Sequence, residues 1–437
     1  MFTTLINALK IKEIRKKIFF TFMMLIVIRL GSQLPVPGIN RAFFANWFAQ
    51  QTSDAFNFFD AFTGGSFINM SVLALNITPY ITSSIIMQLM TIAIPKLEEM
   101  QRDGADGRKK IASITRYVTV ALALVESSAM AIGFGRQGLL QTYNVINVIT
   151  VIVALTAGSA FLMWIGERIT EHGVGNGISI VLTINILSRM PQDITHLFEQ
   201  FVIGKSIAKG VVAAIIIIAI IILMVVLVII LNDGVRKIPV QYAKKVQGRK
   251  MVGGQTTSIP LKVNTSGVIP VIFASSLLQL PVIICSFFNI SGTGVWGEIL
   301  KGLNSNYWCN PSQPIYSIGL IVYIVLVILF AYFYTSITFN PMEIAENMKK
   351  QGGFVPGIRP GKPTSDYLSR LLTYIIFIGA VGLTIICVVP YFFNGVFGAS
   401  VSFSGTSLII IVSVVLETIK QIESQMLVRN YKGFLND

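Results

Sequence analysis

The stretch TGGSFINMSVLALNITPYITSSIIMQLM, residues 63 to 90, is too apolar for a surface loop and too broken for a helix facing lipid. Gly64, Gly65, Asn69, Asn76 and Pro79 interrupt it, and Thr78, Thr82, Ser83 and Ser84 keep its second half polar. Hydrocarbon offers no hydrogen-bond partner, so irregular backbone at membrane depth must be covered by protein or border water. The stretch is therefore expected to line an aqueous path through a membrane. The break at Asn76 to Pro79 divides it into a short helix over Phe67 to Leu75, which need not span, and a longer one that does. A small apolar plug folded back into a channel mouth has that composition, and so does an ordinary kinked helix packed in a bundle.

The rest of the chain supplies the membrane setting. Of its 437 residues 53% are hydrophobic and only 12% charged, and the mean hydropathy is +0.71. Apolar runs recur at the length of about 20 residues that a helix needs to cross hydrocarbon. Ten candidate spans result, near 18–35, 72–94, 113–133, 146–166, 177–190, 211–231, 267–288, 315–336, 371–391 and 404–420, the fifth short and weak. No cleavable leader is expected, because the basic run NALKIKEIRKKIFF feeds a span with no small-residue cleavage site behind it. Cys285, Cys309 and Cys387 form no paired motif, and His172 and His196 stand alone, so neither a metal nor a cofactor is expected.

Basic residues are distributed unevenly between the two sides. With the N-terminus cytoplasmic, inside segments carry the basic groups of Lys10 to Lys17, Lys96 to Arg116, Arg168, Arg236 to Lys262, Lys349 to Arg370 and Lys420 to Lys432. The outer segments hold only Arg41, Arg136, Arg189, Lys205, Lys209 and Lys301, and Arg29 falls within the first span. Both termini are therefore expected to be cytoplasmic. The larger basic loops suit docking of anionic lipid, acidic protein or RNA.

An internal repeat aligns PYITSSIIMQL at Pro79 with PVIFASSLLQL at Pro270, with five identities in eleven positions. Each segment is the second span of a five-span half. Five is odd, so the halves run in opposite senses and the working site is expected where they meet. Ion-coupled secondary transporters of small solutes can share this plan, but they usually carry ionisable groups at the bilayer midplane. This chain has few, notably Arg29 and Glu126. An enzyme is not expected, since no carboxylate pair, Cys/His set or phosphate loop is visible. GVGNG, residues 173 to 177, lacks the preceding strand of a nucleotide fingerprint.

Seven blocks now carry a resemblance over nearly the whole chain: LPVPGIN, GGSFINMSVLALNITPYITSSIIMQL, DGRKKIASITRY, GERITEHGVGNGISI, VIPVIFASS, GGFVPGIRPGKPT and SGTSLIIIVSVV. In content and order they resemble the SecY family, the central subunits of the Sec protein translocation channel. The resemblance implies an all-α polytopic membrane protein, with ten transmembrane helices in two inverted five-helix halves around an hourglass pore. The halves would cover 1–190, with a plug at about 58–75, and 191–437, with cytoplasmic loops at about 232–266 and 337–370. Matched residue by residue, an apolar pore ring falls on Ile81, Ile85, Leu182, Ile186, Ile272 and Ile410, with Leu182 departing from the isoleucine common in relatives. The plug falls on Phe67, Ile68, Asn69, Met70, Ser71 and Val72. A lateral gate maps to spans two, three, seven and eight, with Gln88, Ser275, Ser276 and Gln279 at its seam.

Two loops read as docking surfaces. IPVQYAKKVQGRKMVGGQTTSIPLK, residues 238 to 262, alternates as a projecting hairpin around Arg249 and Lys250. Three prolines and four glycines in residues 352 to 364 exclude regular structure and hold Arg359, with Lys362 beside it, on a stiff turn. The resemblance implies the partners: SecE and SecG as small membrane subunits, the SecA motor ATPase or a ribosome, and secretory and membrane protein precursors with signal sequences. It also implies residence in the plasma membrane.

Overall fold

The computed structural model describes residues 6–433 apart from 7, 41–43, 45–59, 61–62, 137, 139, 141, 203–206, 243–244, 248–249, 253–255, 288–293 and 398–404. Its helices in chain order are α1 (Lys12–Gly31), α2 (Thr78–Ala93), α3 (Pro95–Arg102), α4 (Ala105–Arg136), α5 (Val145–His172), α6 (Gly177–Phe201), α7 (Ile207–Asp233), α8 (Ile269–Phe287), α9 (Val295–Leu303), α10 (Ile318–Thr338), α11 (Pro341–Lys350), α12 (Lys362–Phe397) and α13 (Gly405–Gly433). Among the described residues, ten of these have 16 residues or more, one for each apolar run of the sequence. Helices α4, α5, α7, α10 and α12 are long and apolar enough to cross a membrane on that ground alone. Helices α2 and α3 make a further span bent by 106°. The other long helices carry charges or polar residues along part of their length. That is tolerable where neighbouring protein covers them.

Helix α7 sits at the opposite extreme. Its hydropathy reaches 3.9 with only 17% of the window buried, and Ile215, Ile216, Ile218, Ile222 and Leu223 are exposed. A helix that is apolar all round and uncovered by protein is one that faces lipid.

Helix α6 corrects the length of the fifth span, expected at 177–190, while its composition keeps it outside the helices apolar enough to qualify as spans on that ground alone. It runs 25 residues, straight through Pro191, and starts under a cap from the Asn176 side chain, which accepts the amides of Ile178 and Ser179. Hydropathy registered only its first half because Asp193, Thr195, His196 and Glu199 dilute the second.

The hairpin between α7 and α8 forms as expected: β1 (Val235–Tyr242) pairs antiparallel with β4 (Thr256–Lys262), and β2 (Lys245–Gln247) with β3 (Lys250–Val252). The second loop is more ordered than its composition suggests. After a turn at Gly352 (φ +73°), β5 (Gly353–Phe354) adds to the free edge of β1, pairing Gln241 with Phe354 and Tyr242 with Gly353. Glycine fits closely there, because a Cβ on Gly353 would lie 2.9 Å from the Tyr242 ring and force it to shift. Ile238, Val240 and Leu261 seat this three-stranded sheet on Leu368, Leu372 and Ile375 of α12.

The plug segment also departs from expectation, since residues 64–77 form a chain of turns rather than a helix over Phe67 to Leu75. Met70 and Asn76 adopt φ of 39° and 53°, conformations that cost a side-chain-bearing residue stability and interrupt any helix. The amide of Val36 bonds the Met70 carbonyl, and the amide of Val72 bonds the Leu34 carbonyl, so the preceding extended segment takes the groups a helix would need.

Candidate functional site

Six helices, α1, α2, α5, α6, α8 and α13, meet in one apolar cluster, and four of them carry the residues expected in the ring. Leu182 and Ile186 share a face of α6, four residues apart. Ile81 comes from the first turn of α2, Ile272 from the first turn of α8, and Ile410 from α13, all within this cluster. Both α2 and α8 place a proline, Pro79 or Pro270, at their second residue, where its missing N–H costs nothing. Leu73 and Ile77, at the base of the plug segment, pack in the same cluster. Ile85 does not join it. It is buried one turn further along α2, where it lines a small apolar crevice with Gln88, Leu89, Phe273, Phe330, Phe333 and Tyr334. The structure thus gathers five of the six ring residues and puts the sixth in the seam between α2, α8 and α10. A constriction of branched aliphatic groups offers an ion nothing to replace its hydration shell, so it dewets and resists ions.

The plug segment packs beside this cluster. Phe67, Met70, Ala74 and Leu75 are buried against Phe44, the end of α4 (Met130, Ala131, Phe134) and α5 (Val151, Leu155). Ring centroids of Phe44 and Phe67 lie 5.9 Å apart, and those of Phe67 and Phe134 6.2 Å. Ile68 and Val72 are partly buried along the same wall, and Ser71 is buried. Asn69 is half-buried and donates to the Gly65 carbonyl at 2.9 Å.

A polar seam joins the segment to α6, and it was not anticipated. The carboxylate of Asp60, 0% exposed, forms a salt bridge with Arg189 and accepts the Ile68 amide at 2.8 Å. The Ser188 hydroxyl, which donates to the Asn185 carbonyl at 2.7 Å, lies 3.4 Å from the Gly64 carbonyl, and Asn185 donates to the Asn76 side chain at 2.8 Å. Residues 185, 188 and 189 form one face of α6. Gly64, at φ +66°, is the close-approach point: a Cβ there would sit 2.5 Å from the Asn185 carbonyl oxygen. The sequence signal for this seam is a pair of asparagines inside apolar runs, a residue type that hydrogen-bonds across helices.

The seam residues are placed unevenly. Gln88 and Ser276 are exposed, Ser275 is buried, and Gln279 lies on α8 with its side chain outside the described atoms. A bond between Ser83 and Thr119 hydroxyls at 2.5 Å ties α2 to α4, and one between Ser127 and Thr156 at 3.0 Å ties α4 to α5. The cavity at the seam itself is lined by the aromatic and aliphatic groups above, with Gln88 at its edge. Arg29 and Glu126 form no ion pair with each other among the described residues.

Of the docking residues, Arg249 lies outside the described residues and Lys250 is described only as part of β3. Arg359 and Lys362 are exposed. The Arg359 carbonyl accepts the Thr364 hydroxyl at 2.8 Å, which fixes the turn to the first residues of α12.

Ten long helices, several of them packed round one apolar cluster with a broken polar segment folded in beside it, have the architecture of a membrane channel. Residues 71–419 match the family model SecY. The chain is 41% identical over 442 residues to the protein translocase subunit SecY of Halalkalibacterium halodurans, covering 100% of both chains. Among solved structures it is similar to one in which the SecY plug domain is said to stabilise the closed translocation channel and maintain a membrane seal (20% identity, TM-score 0.60, 96% of both chains). It is also similar to Sec61 in the canine ribosome-channel complex from the endoplasmic reticulum (18% identity, TM-score 0.60, 96% of both). At these identities the structures establish the fold, and the sequence relatives establish more: the chain belongs to the SecY family.

Proposed function

We propose that the chain is the pore-forming subunit of a protein-conducting channel, which passes unfolded secretory polypeptides across the plasma membrane and releases membrane segments sideways into lipid. The observation that carries this reading is the apolar cluster in which α2, α6, α8 and α13 meet over the base of the plug segment. Ile81, Leu182, Ile186, Ile272 and Ile410 act as the ring, and residues 58–75 as the plug. Ile85, Gln88, Ser275, Ser276 and Gln279 belong to the lateral gate. The halves 1–190 and 191–437 meet at that ring. Relatives described as translocase subunits and channels support this, and nothing in the comparisons supports the small-solute transporter.

The driving force comes from outside the chain, from a SecA motor or a translating ribosome docked on the sheet and on Arg249, Lys250, Arg359 and Lys362. SecE and SecG complete the membrane complex, anionic lipid meets the basic face, and both termini are cytoplasmic. The test is ATP-dependent uptake of a secretory precursor by vesicles holding the purified complex and motor. Uptake that requires this chain supports the reading; solute flux without precursor uptake overturns it.

A further inference from the structure

The contacts between the plug segment and α6 differ in kind from the rest of its packing. Most of the segment is held by apolar contacts on α4 and α5, which are undirected and tolerate sliding. The seam to α6 is directed: an ion pair from Asp60 to Arg189 and an amide pair of Asn185 with Asn76. Arg189 is 13% exposed in its side chain and Asp60 is 0% exposed. Breaking such a pair by moving one partner away leaves a charge in a poorly hydrated place, which normally makes separation very costly. A plug held that way would not let go.

The sequence of α6 supplies a second carboxylate. Asp193, one helical turn beyond Arg189, is also buried, and its charge acts on the Arg189 guanidinium. It belongs to the same helix, so it stays with Arg189 when the plug segment leaves. Resting on the plug reading above, we infer that Arg189 is the positioning residue of the closed state. It holds the plug through Asp60 and passes to Asp193 as the plug withdraws, so that no buried cation is left unpaired. Asp60 sets how firmly the channel is shut, and Asp193 sets how readily it opens. Removing them therefore has opposite effects.

The test uses the purified membrane complex in planar bilayers and in vesicles, in a background with Cys285, Cys309 and Cys387 replaced by serine. Asp60→Asn and Arg189→Gln raise resting ion conductance roughly fivefold or more, the lower end of what a coupling between two states gives. Arg189→Lys keeps the charge and stays near the parent value. Asp193→Asn leaves resting conductance unchanged and slows precursor uptake by a similar factor. If Asp60→Asn fails to accumulate, the neutral double variant Asp60→Asn with Arg189→Gln leaves neither charge of the pair unmatched, and it leaks as the singles do. Resting conductance at the parent level in Arg189→Gln or in the double variant overturns the latch. Leak in Asp193→Asn overturns the exchange.

A separate arm tests the reading beneath it. A short bifunctional thiol reagent joining Phe67→Cys to Phe134→Cys fixes the plug on its wall and blocks precursor uptake. Block without any effect of Asp60 or Arg189 means that a plug exists but this latch does not. Unimpaired uptake in the crosslinked channel means that the segment is not a plug.

Discussion

At the scale of single residues, position four apart on a helix matters more than side-chain type. Ile81 and Ile85 are chemically the same and share a face of α2, yet one meets Leu182, Ile186, Ile272 and Ile410 while the other lines the seam cavity. Replacing Ile81, Leu182 and Ile272 together with serine is expected to wet the constriction and raise the conductance of the resting channel. Ile85→Ser alone should leave it at the parent level, and planar-bilayer recording of the two variants decides between them. Gly64 is the other sharp case. Gly64→Ala must hold a left-handed backbone, at about 1 to 2 kcal/mol, and in addition push a Cβ against the Asn185 carbonyl. The cost falls on the plugged state, so the same recording should show a leak. Arg359, exposed on a turn pinned by Thr364, has a forked donor set suited to a carboxylate surface. Arg359→Glu is expected to abolish motor-driven uptake of precursor and Arg359→Lys to reduce it partway, with normal amounts of protein in the membrane because the residue lies outside the bundle.

At the scale of elements, the departures from expectation share a cause: backbone groups were taken by segments distant in sequence. The plug turns bond to Leu34 and Val36, and β5 bonds to β1 across more than a hundred residues of chain. Gly353→Val should detach β5, because the branched side chain meets the Tyr242 ring, and this would be read as faster amide exchange at Gln241 and Tyr242 with the transmembrane helices unaffected. Helix α9 is fastened differently. The Tyr316 hydroxyl donates to Glu298 and Lys301 lies 3.4 Å from the same carboxylate. The Tyr316 bond, aided by Lys301, holds the Glu298 carboxyl below its ordinary range. A lowered folded-state value contributes stability above the unfolded value that is lost as pH falls through the folded one. The attachment of α9 should therefore persist through mild acid and loosen only below the ordinary carboxylate range. Tyr316→Phe should move that loosening to higher pH, followed by the emission of Trp296 in a variant with the other tryptophans replaced.

At the scale of the whole molecule, polar bonds bind α2 to α4 and α4 to α5, whereas apolar groups line the cavity where α2, α8 and α10 adjoin. A seam lined mainly by apolar groups, with Gln88 at its edge, parts at little cost in hydrogen bonds, so linking Gln88→Cys to Phe333→Cys across it should stop membrane segments from entering lipid. A crosslinked channel that still integrates a membrane precursor would place the exit elsewhere. The sequence by itself determined the number and order of the long helices, the hairpin, and the family, because crossing hydrocarbon is a local demand that a run of apolar residues meets or fails. It also marked residues 63–90 as covered by protein, since a segment broken at Gly64, Asn76 and Pro79 cannot face lipid. Only the tertiary structure decided that residues 64–77 are a run of turns, that Ile85 packs apart from Ile81, that α6 continues through Pro191, and that Asp60 meets Arg189. Lipid tails are as apolar as leucine, so hydropathy cannot tell a side chain facing lipid from one closing a pore. The bonds that shape the plug join residues such as Asn76 and Asn185, 109 positions apart, and a local pattern carries no record of which distant partner will be there.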